Sequence, residues 1–241
     1  MIVAIDGPAG SGKSSVARAV ARRRGLMLLD TGAMYRAITW RCLMRGVSCE
    51  DEGAVSREAA QARVSFGVGD DGSQTVMLDG DDVTRQIRLP EVDRNVSAVS
   101  SFKAVREAMV AQQRQLAAAQ DVIAEGRDVG TVVFPQADVK VFLTADARER
   151  AFRLPLIPLA GAWCPRRRGV RGDRVAGFCK GRFPVSVIPF CRLKRARRGR
   201  AGRARARAPL GAAADAVLID SSRLTFDEVV DRIVRMMDRV G

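Results

Sequence analysis

Eight consecutive residues near the start of the chain, Gly7-Pro8-Ala9-Gly10-Ser11-Gly12-Lys13-Ser14, follow the pattern G-x-x-x-x-G-K-[ST]. Glycines at these places let a loop wrap closely, so that successive backbone N–H groups face inward and bind anionic oxygens. The pattern lies between a short apolar run, Ile2-Val3-Ala4-Ile5, and a stretch from Gly12 to Arg24 rich in Ala, Val and Arg at helical spacing. Strand, loop and helix therefore follow one another, and the helix N-terminus adds positive potential at the loop. Gly7 to Gly12, with Lys13, Ser14 and Ser15, would cradle the phosphates of a nucleoside triphosphate. The Lys13 ammonium would reach the terminal phosphates, and the Ser14 hydroxyl would ligate a Mg²⁺ ion held with them. The bland alternative is a glycine-rich turn with a solvated Lys, which needs the pattern and its strand-helix setting to coincide by accident.

Composition removes other chemistry. The 241 residues contain no His, so imidazole bases, His-ligated metals and Ser-His-Asp triads are excluded, leaving carboxylates, Lys, Arg and backbone dipoles. Five cysteines (Cys42, Cys49, Cys164, Cys179, Cys191) without a C-x-x-C pair indicate neither a disulfide framework nor a four-ligand zinc site. The N-terminus has no basic lead before its short apolar run, and no apolar stretch is long enough to span a bilayer; a cytoplasmic protein is expected. The formal charge of +14 is uneven. Residues 151 to 210 hold 17 Lys and Arg with one acid, Asp173, while the rest of the chain carries 24 basic and 26 acidic groups.

The elements that must position the loop follow from periodicity. After the first helix, Leu26 to Leu29 reads as a second buried strand, and Asp30-Thr31-Gly32 opens a helix carrying Met34, Ile38, Trp40 and Leu43. Val64, Phe66 and Val68 alternate, Gly69 to Gly72 turn, and Val76-Met77-Leu78 returns, which predicts a hairpin in a small inserted lobe. A helix from about Ser101 to Ala119 precedes strands at Val122 to Ala124 and Val139 to Leu143, and Asp146 starts another helix. Ala216 to Ile219 is a last buried strand, and Thr225-Phe226-Asp227-Glu228 is a capping box before a helix with Val229, Ile233 and Met236 on one face. Strands alternating with helices predict an α/β fold, a parallel sheet with helices on both faces.

Beyond the loop, in Leu28-Leu29-Asp30-Thr31-Gly32-Ala33-Met34-Tyr35-Arg36 the part from Asp30 follows the second strand, at the sheet edge where doubly wound proteins bind ligands. With GPAGSGKSS, the DGDDVTRQIRLPEV stretch from Asp79 to Val92, a helix start around Ser97 to Glu107, and Glu125-Gly126-Arg127-Asp128 running into Val129 to Pro135, the chain strongly resembles the bacterial cytidylate kinase family of nucleoside monophosphate kinases. The likeness resumes at Ala208-Pro209-Leu210 and Ala213 to Asp220 and covers roughly three quarters of the chain. The resemblance implies a P-loop kinase fold in one domain. Its core would be residues 1–60, 120–150 and 211–241, with a nucleoside-monophosphate-binding lobe at about 61–100 and a lid region at about 151–210.

The resemblance also implies roles. Lys13, Arg127 and Asp128 would be catalytic. Thr31, Arg36, Ser97, Arg106, Arg127 and Asp128 would bind CMP, with Arg36 and Arg127 neutralising its phosphate bidentately. Ser97, Arg106 and Asp128 would face the base, since cytosine offers an amino donor to a carboxylate and acceptors to Arg or Ser. Asp128 has a rival reading as a magnesium-organising or structural acid beside Arg127. Arg88 has two as well: closing the base lobe, or pairing with Glu91 on a helix surface. The implied substrates are ATP and CMP or dCMP, with Mg²⁺, in a monomer with no membrane or nucleic-acid partner. Transfer would be in-line from Mg·ATP without a covalent intermediate or general base; the alternatives are another monophosphate acceptor, or a non-catalytic ATP- or RNA-binding protein.

After Glu149-Arg150-Ala151-Phe152-Arg153 the chain departs from the family until Ala208. Counting back from Ala208, Gly199 and Gly202 stand in the family's aspartate positions, so the ribose-binding carboxylate is missing, while Arg198, Arg203 and Arg205 remain as candidate phosphate ligands. Three origins fit this Arg-, Pro- and Gly-rich block: out-of-frame translation of a GC-rich gene, which would leave a disordered lid; a divergent basic lid; or a nucleic-acid-binding insertion.

Overall fold

The computed structural model describes residues 1–69, 73–153 and 211–240. The chain begins with β1 (Ile2–Asp6), α1 (Lys13–Arg24), β2 (Met27–Asp30), α2 (Thr31–Met44) and α3 (Glu52–Gln61). Three strands follow, β3 (Val64–Val68), β4 (Gln74–Leu78) and β5 (Asp81–Asp82), and after a 3-10 turn come α4 (Pro90–Val99) and α5 (Lys103–Ala118). Then β6 (Val122–Gly126), a single π-helical turn over Val129–Val133, β7 (Val139–Thr144) and α6 (Ala147–Arg153) lead to β8 (Val217–Asp220) and α7 (Phe226–Met237). The reading of residues 151 to 210 as a lid, with Gly199, Gly202 and the arginines around them, falls almost wholly outside the described residues. The predicted turn at residues 70–72 does too.

Five parallel strands form the main sheet in the order β2-β6-β1-β7-β8. β1 is central and its side chains are buried on both faces, as a parallel sheet under two helical layers requires. The pleat sends Val3 and Ile5 into one core with α1 and α7, and Ala4 into the other with α2, α3 and α5. α7 closes the first core with Val229, Ile233 and Met237, and its Thr225 capping box is formed. Arg23 and Arg24 at the end of α1 pair with Asp231 of α7 and with Asp238, which caps its C-terminus.

The hairpin strands β3, β4 and β5 form a separate antiparallel sheet. Val64, Val76 and Leu78 of that sheet pack into the same core as α2 and α5. Arg41 of α2 is nearly buried and pairs with Glu58 of α3 and Asp79 of the β4–β5 turn, so the hairpin is tied to the helices by charge as well as by apolar surface. Cys42 and Cys49 are buried free thiols, and burial pushes Cys42 up to about 12. Among the described residues no helix is long and apolar enough to cross a membrane.

The strands and helices expected from periodicity are present within a residue or two, but the last strand is not buried as expected: β8 lies at the sheet edge, and of its residues only Ile219 is buried. α3 and α4 were not expected, because each buries only two residues, Val55 and Ala59 or Val92 and Val99, too few for a readable stripe. The stretch from Ser97 to Glu107 does hold a helix start, at Lys103 of α5, but it also holds the end of the preceding helix. Ser97 belongs to α4, which ends at Val99, and Arg106 belongs to α5, which begins at Lys103. The hydroxyls of Ser100 and Ser101 donate back to the carbonyls of Ser97 and Ala98, the local bonding by which serines compete with a continuing helix.

Candidate active site

β1 and β6 pair with Asp6 opposite Gly126, and β1 and β7 with Asp6 opposite Phe142, so three strand ends and the loops after them meet at one edge. The phosphate loop leaves β1 there. Gly7 has φ +147, and a Cβ on it would lie 2.0 Å from the Leu143 carbonyl oxygen, so no other residue passes between the strands. Gly12, also left-handed, caps α1. Lys13 Nζ donates to the Pro8 carbonyl at 3.0 Å, holding the ammonium over the loop. Burial lowers its pKa; Arg127 adds to the depression, while Glu125, Asp6 and Asp30 oppose it. The buried Ser11 hydroxyl has no hydrogen-bond partner among the described residues.

A cavity of about 600 Å³ opens over this loop, lined by Ala9 to Val16 and by Asp30, Thr31, Arg36, Arg88, Glu125, Arg127, Arg153 and Ser221 among others. Asp30 caps α2, accepting from Ala33 N at 2.9 Å. Thr31 Oγ1 donates to the Glu125 carbonyl at 2.8 Å. A Cβ on Gly126 would come within 2.5 Å of that hydroxyl, which explains the glycine between Glu125 and Arg127. Arg36 donates to the Ile87 carbonyl at 3.0 Å and pairs with Asp93 of α4 at 2.5 Å.

Of the residues expected to bind substrate, Ala9 to Ser15, Thr31, Arg36 and Arg127 line this one cavity. Gly7 and Pro8, at the start of the loop, are not among the cavity's lining residues. Arg106 and Asp128 form an ion pair next to the cavity, with the Arg106 guanidinium 6.0 Å from the Tyr35 ring centroid. Ser97 is exposed on α4 and does not line the cavity. The alternative pairing of Arg88 with Glu91 is corrected: Arg88 reaches Asp30 at 3.5 Å, and Glu91 pairs instead with Arg94, because the 3-10 turn ends at Arg88 and α4 starts afresh at Pro90.

Two groups escaped the sequence reading. Glu125, next to last in β6, has its carboxylate against the Ser14 hydroxyl; burial first, then the Asp30 charge, raises its pKa to about 6. An acid at the end of an apolar strand was the available signal. Arg153 donates from both Nη atoms to the Ser221 hydroxyl and carbonyl at 2.8 Å, joining α6 to the segment after β8 at the cavity wall. No spacing in the sequence announces that pairing.

Comparison with known proteins agrees with this arrangement. A protein from Nocardia farcinica named cytidylate kinase is 44% identical over 239 residues, covering 98% of this chain and 93% of that one. The bifunctional pantoate ligase/cytidylate kinase of Prochlorococcus marinus is 42% identical over 233 residues, covering 97% of this chain but 42% of that longer protein. Among solved structures, TT1252 from Thermus thermophilus aligns over 99% of this chain and 96% of its own at 17% identity with a TM-score of 0.41, a likeness too low to add to the fold argument. The family model described as cytidylate kinase matches residues 3–155 and 192–239, resuming before Ala208, and the chain belongs to that family.

Proposed function

We propose that the chain transfers the γ-phosphoryl group of Mg·ATP to CMP or dCMP, giving ADP and CDP or dCDP. The observation that carries this reading is a single cavity with a phosphate loop and Lys13 on one wall and the guanidinium groups of Arg36, Arg88 and Arg127 on the other. Two polyanions brought together need this arrangement, and a phosphate acceptor is already a nucleophile, so no base is required. An acceptor oxygen attacks the γ-phosphorus while the β–γ bridging bond breaks and its electrons leave with ADP. Lys13 and the loop amides hold the donor phosphates. Arg36 and Arg127 take the acceptor phosphate, with Arg36 exchanging Asp93 for it. Asp128, positioned by Arg106, accepts from the cytosine amino group, and Thr31 supports the acceptor side. Ser97 contacts the base only if α4 moves inward.

The Ser14 hydroxyl with the Glu125 and Asp30 carboxylates is an all-oxygen set beside the loop, which suits Mg²⁺ bound chiefly through ATP phosphates. The ion supplies charge neutralisation of the β- and γ-phosphates. We take the enzyme to act as a cytoplasmic monomer. The test is ATP-dependent conversion of CMP to CDP, with AMP and UMP as rival acceptors. Lys13→Ala is expected to lower turnover by about a thousandfold or more. A preference for UMP would remove Asp128 and Arg106 from the base-reading role. RNA affinity that is salt-sensitive and survives Lys13→Ala, without turnover, would favour a non-catalytic protein.

A further inference from the structure

Asp6 is the last residue of β1 and directly precedes the phosphate loop, yet its carboxylate is bonded to amides of another segment. It is 4% exposed. Oδ1 accepts from the Val129 amide and Oδ2 from the Gly130 amide, both at 2.8 Å. These are the first two residues of the π-helical turn, which closes on itself through Val132 N to the Asp128 carbonyl at 2.9 Å and Phe134 N to the Val129 carbonyl at 2.7 Å. In the sheet, Asp6 is also the register partner of Gly126. Arg127 and Asp128 are therefore a two-residue span with both ends fixed by one residue, Gly126 by the sheet ladder and Val129 by the carboxylate.

The opposite side of the turn is backed by Lys140. A Cβ on Gly130 would lie 3.4 Å from Lys140 Cδ and 3.5 Å from Asp6 Oδ2, so Gly130 is held between the two side chains. Lys140 is itself anchored by the Pro135 carbonyl and Asp215, each at 2.6 Å. Burial raises the Asp6 pKa, and the two amide bonds and the Lys13 charge oppose that rise. A carboxylate is the one side chain of this size that presents two acceptors to two N–H groups; Asn would turn a donor toward one of them and strand it.

We propose that Asp6 is a positioning residue that sets the Arg127-Asp128 pair relative to the phosphate loop, so that it governs acceptor binding and base choice and leaves donor binding alone. This rests on the reading of Arg127 and Asp128 as acceptor-binding groups.

The experiment is a double-mutant cycle of Asp6→Asn and Asp128→Asn, reading KM for CMP, KM for ATP and the CMP-to-UMP ratio of kcat/KM. Asp6→Asn is expected to raise KM for CMP about tenfold while KM for ATP changes less than about threefold, and to add no further loss of base preference to Asp128→Asn. Equal rises in both KM values, or additive losses of preference, overturn the proposal. Should Asp6→Asn not fold, amide exchange in the wild-type protein decides. Val129 and Gly130 are expected to exchange as slowly as the β1 amides, and exchange as fast as exposed Thr131 overturns it. That second reading stands even if no monophosphate is phosphorylated, which would refute the proposed function instead.

Discussion

The two walls of the cavity are built by different means. The phosphate loop owes its shape to backbone: glycines in left-handed conformations, a helix N-terminus, and a lysine tethered to a loop carbonyl. The proposed acceptor wall carries paired charges instead: Arg36 with Asp93 and Arg88 with Asp30, and, outside the lining, Arg106 with Asp128. On the loop side the partner to give up is a neutral one, the Pro8 carbonyl that accepts from the Ser11 amide and the Lys13 ammonium, whereas a guanidinium already on a carboxylate must exchange one anion for another. The donor side is thus preset. The acceptor side is exchangeable, which suits the wall that must discriminate.

The sharpest break in this comparison is a methyl group on the preset wall. Gly7→Ala drives a Cβ into the Leu143 carbonyl oxygen, and a loss of about 4 kcal/mol is expected, read as a fall in Tm with donor binding lost. On the exchangeable wall, Arg36→Ala is expected to lower kcat/KM for CMP about a hundredfold with KM for ATP nearly unchanged, measured by steady-state kinetics in both substrates. An equal loss for both substrates would erase the distinction between the walls.

Glu125 lies where the walls meet. Its folded pKa of about 6, against an ordinary 4.5, means the native state holds its proton more tightly than the unfolded chain, so stability contributed by the neutral acid is lost as pH rises from 4.5 through 6. Glu125→Gln is therefore expected to be more stable than wild type at pH 8 by about 2 kcal/mol, with no gain below pH 4, read by denaturant melts at both pH values. Its turnover should fall, since the Ser14 hydroxyl loses the carboxylate. The smallest effect is expected at Arg88, whose side chain is half exposed and 3.5 Å from Asp30; Arg88→Ala should change KM for CMP by less than about threefold.

The phosphate loop was legible because its chemistry is local: eight contiguous residues make the nest, and the strand and helix on either side announce themselves by periodicity. The same holds for the Asp30 and Thr225 caps, where a side chain bonds an amide three residues on. The candidate acceptor residues Thr31, Arg36 and Arg127 were legible as motif positions through family likeness, and α3 and α4 were not, because two buried residues per helix leave no stripe to read.

What only the tertiary structure decided is which distant residues meet. The strand order β2-β6-β1-β7-β8 does not follow the chain, so the ends of β1 and β6 become neighbours across about 120 residues. That neighbourhood gives Asp6 its two amides and Ser14 its carboxylate, while the packing of α2 on α4 gives Arg36 its Asp93 and the pairing of β7 with β8 brings Ser221 to Arg153. Local geometry is written in adjacent residues because torsions and short hydrogen bonds are set there, whereas a partner's identity depends on which faces pack, and packing is settled by the whole chain at once.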